Sequence, residues 1–493
     1  MDTVTPGPAA SERYESPLLT RYASPAMSVI FSERRTVLLW RRIWLALAET
    51  QRELGVDIRE EQLAALRANV DRIDFEAAAA HERELRHDVM AHVHAYGDAA
   101  PAARGVLHLG ATSADITDNA NLLQLREALE LVRGRVLDVL RPLAAFARRW
   151  AELPTLGFTH FQAAQPTTVG KRACLWIQDL LLDLAEVERR TAGLRLRGFR
   201  GATGTQASFL ALFDGDAGRV EELERRMCAR LGFGGTYAVT GQTYPRKVDA
   251  LVLDALSGVG QSCAKFAHDL RLLQHLHEVE EPFGERQIGS SAMPYKRNPM
   301  RAERMSGLAR WLIVTAQNAG WTAAGQWLER TLDDSSNRRL ALPEAFLSAD
   351  ALLVLYRDVV EGLAVSPEAI RERLRTELPF LASEMLLAEG VKRGGDRQSL
   401  HEAIRRHSLA ARGPDANGDR EAASSGGPAE RFLAALESDD RFPFGPGELA
   451  ALLTPEAFTG LAAEQVERFL TDEVDPLLEA RSSVSVAKGE VRV

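Results

Sequence analysis

Apolar residues fall at 122, 125, 129, 132, 136, 140, 143, 146 and 150, in steps of three and four. That spacing lays them along one stripe of an α-helix. From 246 to 281 the pattern recurs, with Val252, Leu256, Val259, Cys263, Phe266, Leu270 and Leu273 on one face and no proline between Pro245 and Pro282. At 1.5 Å per residue such a helix runs about 50 Å. Further helical patterns cover 168–197, 216–231, 301–328 and 341–364, and strand signals are scarce. Helices this long want near-parallel neighbours, so the pattern predicts an all-α protein built on a long-helix bundle. The seams exceed what one chain's bundle needs, which predicts helix-mediated oligomerisation.

Three helical domains are predicted. Residues 1–111 hold shorter helical segments, 112–364 the central long-helix bundle, and 365–493 short helices broken by glycine. A chain of 493 residues is too long for one core. Residues 1–13 read as a disordered lead-in, with neither the basic nor the apolar region of a secretory signal. The stretch "ARGPDANGDREAASSGGPAE" (411–430) reads as a mobile surface loop, because it holds too little apolar surface to order itself.

Composition narrows the class. Hydrophobic residues make up 45% and charged residues 26%, the balance of a globular protein. A net charge of −9 argues against a general nucleic-acid surface. No apolar run approaches the roughly 20 residues needed to span a bilayer. Cys174, Cys228 and Cys263 lie far apart within helical patterns, as buried thiols of a reducing compartment do. The expected location is the cytoplasm, with no membrane or nucleic-acid partner.

Polar interruptions of the helical pattern carry the candidate chemistry. "LRHDVMAHVH" (85–94) has no HExxH; His87 and His94 share a helix face, whereas His87 and His92 do not. A metal site, a packing role and a substrate contact are all open to it. "LGATSADITDNAN" (109–121) sets Thr112 and Ser113 ahead of Asp115 and a long helix, which suits both a cap and an anion site. In "LGFTHFQAAQPTTVGKR" (156–172), His160 lies in a dense polar loop and is an acid/base candidate. "RGATGTQASF" (200–209) lacks both a GK[ST] and a preceding strand, and reads as a tight turn whose backbone approaches a ligand. "WLERTLDDSSNRRLALPEAF" (327–346) gathers Arg330, Arg338 and Arg339 around Ser335 and Ser336 near a helix start, suited to phosphate or to a salt-bridged cap. Finally, "GSSAMPYKRNP" (289–299) interrupts two helices with donors and prolines. Gly284 and Gly289 there suit the unusual dihedrals of a lid over 284–299.

Taken together these stretches resemble the adenylosuccinate lyase family, of the fumarase/aspartase/argininosuccinate lyase superfamily, and its animal-type members in particular. "GSSAMPYKRNP" is similar to the superfamily signature loop. "LTRYASPAM", "LRHDVMAHVH", "TGQTYPRKVD" and "ERTLDDSSNRR" resemble the adenylosuccinate branch. The resemblance runs from about residue 14 to 485. Ala163 stands where the family pattern has proline, and 411–430 departs from it.

The resemblance implies a bundle that associates into a tetrameric helical core, with each active site drawn from three subunits. It implies β-elimination of fumarate from adenylosuccinate, giving AMP, and from SAICAR, giving AICAR, with no metal or organic cofactor. Ser290 is then the base and His160 the acid. Lys296 and Asn298 hold the carboxylate on which charge builds, and Glu303 orients His160. Thr112 and Ser113 hold a succinyl carboxylate. Arg21, Tyr22, Ser335 and Arg339 hold the phosphate, with Arg304 and Arg330 nearby, while Arg86, His87, Asp88 and Gln242 contact substrate, His87 also in a catalytic capacity. Argininosuccinate lyase and fumarase are the nearest enzymatic alternatives, but their substrates carry no phosphate. A non-catalytic scaffold that keeps the bundle is the other, and intact Ser290, His160 and Lys296 argue against it.

Overall fold

The computed structural model describes residues 13–413 and 427–484, with 486, 487, 489 and 491. The expected lead-in 1–13 therefore lies outside the described residues but for Arg13. Of the expected loop 411–430, residues 414–426 lie outside them, while its edges are helical: Ala411 and Arg412 end one helix and Pro428 opens the next.

Among the described residues the fold is all-α apart from two small antiparallel strand pairs, one a hairpin and one joining segments far apart in sequence. A π turn, Leu18–Tyr22, leads into α1 (Pro25–Ile30), α2 (Glu33–Glu53), α3 (Glu60–Asn69), α4 (Phe75–Leu85) and α5 (Asp88–Ala99). Helix α6 (Ser113–Arg149) opens the bundle, followed by strands β1 (Pro154–Thr159) and β2 (Gln162–Thr168) and by α7 (Val169–Gly193). Helices α8 (Ala207–Leu212) and α9 (Ala217–Leu231) precede α10 (Lys247–His275), β3 (Val279–Glu280), α11 (Met300–Ala324) and α12 (Asp333–Glu361). Strand β4 (Ala364–Val365) pairs with β3, and α13 (Pro367–Leu381), α14 (Ser383–Lys392), α15 (Arg397–Arg412), α16 (Pro428–Glu437), α17 (Glu448–Leu452), α18 (Ala462–Phe469) and α19 (Asp475–Ala480) complete the chain.

The predicted stripe on α6 is the buried one: Leu122, Leu125, Leu129, Val132, Val136, Leu140 and Leu143 are all out of solvent. Its neighbours are α7 and α12, and α10 packs on α11 and α7. Helix α10 ends six residues before the sequence pattern does. His277 takes a left-handed φ of 59°, its N–H bonds Gln274 O at 3.0 Å, and the Glu278 N–H bonds Leu273 O at 3.0 Å. This is a Schellman stop with histidine where glycine is usual. Helix α12 starts eight residues earlier than its apolar pattern, because Asp333 and Asp334 occupy a first turn where the helix dipole favours carboxylates.

Helices α6, α10 and α12 all start at one end of the bundle and finish at the other; α7 and α11 return. One apolar cluster runs from Leu18 to Val474 and a second, between Ala382 and Leu449, underlies the shorter C-terminal helices. Trp311, Val314 and Trp321 on α11, and Leu175 and Leu182 on α7, are exposed. No helix among the described residues is long and apolar enough to cross a membrane.

Candidate active site

At the starting end of the bundle a buried ionic joint ties three helices together. On α6, Asp118 accepts two bonds from the Arg246 guanidinium, both 3.1 Å, and one from the Tyr244 N–H at 2.8 Å. Arg246 also reaches Asp334 on α12 at 2.7 Å. Arg338, one turn further, donates to Asp249 on α10 at 2.7 Å and to Asn121 on α6 at 3.3 Å, and the Tyr244 hydroxyl donates to Asp249 at 2.6 Å. Burial disfavours the charge on Asp118, yet the facing Arg246 and Arg338 outweigh it and hold its carboxyl below the usual range. Arg338, grouped with the ligand-binding arginines by sequence, is thus a structural tie.

The joint aims a polar hand out of this end. His87 caps α5, and its Nε2 lies 3.4 Å from the Ser113 hydroxyl at the start of α6. Asp88 accepts from exposed Arg339 at 2.7 Å. Thr112 donates its N–H to Asp115 at 2.7 Å, and Asp115 pairs in turn with buried Arg197 and takes the Arg200 N–H at 2.7 Å. Arg86, in a left-handed cap, is exposed beside them, and Ser335 sits one turn before Arg339. Burial, then the His87 charge, pushes the neighbouring His108 imidazole down to about 4, and its Nδ1 accepts the Trp44 indole N–H at 3.0 Å. Three imidazoles of the 85–94 stretch diverge: His92 packs edge-on to Trp40 and Phe75, and His94 lies against His81. Among the described residues no group of three metal-ligating side chains converges.

Gln242 and Arg330 complete this hand, joined at 2.9 Å. Their loops meet backbone to backbone. A Cβ on Gly204, at φ 82°, would stand 1.9 Å from Thr240 O, and one on Gly241 would stand 2.6 Å from Glu329 O. Within 200–209, Gly204 therefore serves a close approach to a second backbone.

The expected phosphate set divides. Arg21 and Tyr22 line a small crevice with Arg304, Val354 and Leu355, and the Arg304 guanidinium lies over the Tyr22 ring at 5.6 Å. The Ser24 N–H, bonded to Asp350 at 2.6 Å, fixes this turn on α12. Val354 is 15 residues beyond Arg339, so the two halves of the set are about 22 Å apart along one helix.

The far end of the bundle holds the two proton-transfer candidates. His160 is not in a plain loop but at the tip of the β1–β2 hairpin, where Thr159 pairs with Gln162. His160 and Phe161 have φ of 53° and 55°, as a two-residue type I′ turn requires, although neither is the usual Asn or Gly. Ala163 pairs with Phe158 beside a bulge. The hairpin's root is held by Thr155, which donates to buried Glu278 at 3.2 Å; Arg373 pairs with the same carboxylate at 3.1 Å. Glu278 lies just ahead of the 284–299 loop. There Ser290 Oγ accepts the Met293 N–H at 3.2 Å, and Asn298 donates to Gly289 O at 2.8 Å, bracing the loop. Lys296 is exposed and Ser290 half-buried. Gly284 and Gly289 do not adopt left-handed angles. Gly289 is required because a Cβ would stand 2.1 Å from Lys296 O. Glu303 lies in the first turn of α11 and is exposed, and among the described residues no hydrogen bond or ion pair joins it to His160.

Three groups of candidate residues thus occupy three places on one chain: a substrate-binding hand at the start of α6, an arginine–tyrosine pair on the flank, and a histidine and serine at the opposite end. Sequence reading missed Asp118, Asp249, Asp334 and Tyr244, whose partners are more than 80 residues away except for Tyr244 and Asp249.

Comparison with known proteins places this arrangement. Residues 40–313 match a family described as "Lyase", and residues 379–469 one described as "Adenylosuccinate lyase C-terminus". The fold overlays on the 3-carboxy-cis,cis-muconate lactonizing enzyme of Pseudomonas putida with a TM-score of 0.79 at 24% identity, covering 93% of this chain and 99% of that one. A fumarate lyase from Mesorhizobium sp. BNC1 overlays at 0.77 and 25%, with the same coverage. Bundle and polar ends together define a lyase of this helical superfamily. The chain is 47% identical over 472 residues to the adenylosuccinate lyase of Schistosoma mansoni, covering 95% of this chain and 96% of that one. It is 46% identical over 473 residues to that of Saccharomyces cerevisiae, again covering 95% and 96%. The chain belongs to the adenylosuccinate lyase family.

Proposed function

We propose that this protein splits adenylosuccinate into AMP and fumarate, and SAICAR into AICAR and fumarate, by β-elimination. The observation that carries the reading is the family match over nearly the whole of both chains, with the signature loop intact. Ser290 takes the proton from the carbon beside a carboxylate. The electron pair left behind forms the new C=C bond as the C–N bond breaks, and His160 gives a proton to the departing nitrogen. A serine hydroxyl is a poor base, and the Met293 N–H on its oxygen favours the alkoxide. Lys296 adds positive potential there and, with Asn298, steadies the carboxylate that takes up charge. Glu303 orients His160. Thr112 and Ser113, at a helix start, hold a succinyl carboxylate, and Arg86, His87, Asp88 and Gln242 contact substrate. Arg21, Tyr22, Arg304, Arg330, Ser335 and Arg339 bind the phosphate side.

No single chain brings these groups to one substrate, which supports a homotetramer whose sites are each shared among three subunits. Exposed Trp311, Val314, Trp321, Leu175 and Leu182 give the long helices an apolar face for that association. The working compartment is the cytoplasm, in keeping with three buried cysteines that form no disulfide. The test is direct: purified protein, with no metal added, is mixed with adenylosuccinate and absorbance followed. Release of AMP and fumarate is expected. A tetrameric sample that leaves adenylosuccinate intact refutes the function.

A further inference from the structure

We propose that Glu281 is a positioning residue for the loop that carries Ser290, an inference that rests on the β-elimination reading above. The loop leaves the bundle after Glu281 and re-enters it at α11, and both feet are fastened at one point. Glu281 is only 3% exposed. Its two carboxylate oxygens accept the N–H groups of Arg301 at 3.0 Å and Ala302 at 2.9 Å, so a residue at the departing foot caps the helix at the returning foot. First-turn N–H groups have no partner within their own helix, and a carboxylate satisfies them with charge-assisted bonds. Gln274, at the end of α10, repeats the link: its Oε1 accepts the Glu281 N–H at 3.2 Å and its Nε2 donates to Arg297 O at 3.0 Å. Arg301 closes the clasp by donating to Pro282 O and pairing with Asp358 on α12 at 3.0 Å.

Between these feet eleven of the fourteen residues from Gly284 to Arg297 are exposed, with Gly289 buried and Gln287 and Ser290 half-buried, so packing holds the segment at few points. The clasp therefore sets where Ser290 and Lys296 stand relative to the bundle. Glu281 lies nine residues before Ser290, and Arg301 five after Lys296. Loosening one foot lets the hydroxyl wander without removing any group that touches substrate. Displacement of about 1 Å at a reacting atom costs on the order of a hundredfold in rate.

The experiment uses the full-length tetramer bearing Glu281→Gln, which keeps the shape but turns one acceptor into a donor facing an N–H. A fall in kcat of about tenfold or more is expected, with KM within about threefold, since binding groups elsewhere are untouched. Trypsin is the second readout, because Arg286, Lys296 and Arg297 are exposed within the loop. Cleavage there is expected to quicken severalfold while the melting temperature of the tetramer holds. Unchanged kcat and cleavage overturn the proposal, and so does a lowered kcat with unchanged cleavage. Should Glu281→Gln fail to assemble, Gln274→Met decides by the same cleavage: faster supports the clasp, unchanged overturns it. A wild-type protein inert toward adenylosuccinate would sink the function alone, because loop cleavage is read without substrate.

Discussion

His87 and Ser290 lie at opposite ends of a bundle whose central helix, α10, holds 29 residues and is about 43 Å long. No nucleotide reaches from one to the other within a chain. Two inactive variants, His87→Gln and Ser290→Ala, should therefore rescue each other when their subunits exchange. In tetramers drawn at random from equal pools, a given site has an intact donor of His87 half the time and an intact donor of Ser290 half the time. Recovered activity should approach about one quarter of wild type if the two donors are different chains. Fumarate release by the mixture is the assay, with heterotetramers confirmed by native mass spectrometry. Mixed tetramers that stay inactive refute the shared site. A second mixture, Ser290→Ala with His160→Ala, asks a finer question, since both residues stand at the same end of each chain. Recovery to about a quarter is expected there too, if the hairpin of one subunit and the loop of another face one substrate.

Three further outcomes follow from the packing. Burial pushes the Asp183 carboxyl on α7 up to about 7, with Ser262 acting against the shift and Asp179 adding to it. The protonated acid is favoured in the fold, so its stabilisation is complete below about pH 4 and lost as pH rises through 7; urea unfolding should show Asp183→Asn gaining about 4 kcal/mol on wild type between those limits. A pH-independent difference refutes this. Arg338→Met removes the cation from buried Asp249, leaving it only the Tyr244 hydroxyl, and should cost about 3–5 kcal/mol, read as a lower melting temperature. Gly204→Ala drives a Cβ into Thr240 O at a left-handed position. It should raise KM by displacing Gln242, and an unchanged KM argues against the three-loop contact.

Periodicity made the bundle legible, because a stripe such as Leu122 to Leu143 has one physical use. Its ends were less so. "LHEVEE" continues a helical pattern that only the left-handed turn at His277 interrupts, and "LDDSSNRR", which reads as the approach to a helix start, is already helical from Asp333, with Asp334 and Arg338 partnered on other helices. The hairpin escaped notice because His160 and Phe161 fill a turn normally marked by Asn-Gly. Candidate site residues were recognised through motif resemblance, and their division among three places on one chain has no trace in local sequence. Glu281 was missed for a related reason: its partners lie 20 residues on, across a loop, where no periodic rule reaches.

The tryptophans offer an optical gauge of assembly. Trp40, Trp44 and Trp176 are buried within the chain, whereas Trp311, Trp321 and Trp327 face outward, Trp321 at 78% and Trp327 at 73% exposure. An indole leaving water for an apolar contact shifts its emission to the blue. Dilution of the proposed tetramer should therefore redden its fluorescence as subunits part, giving a dissociation constant without any added label.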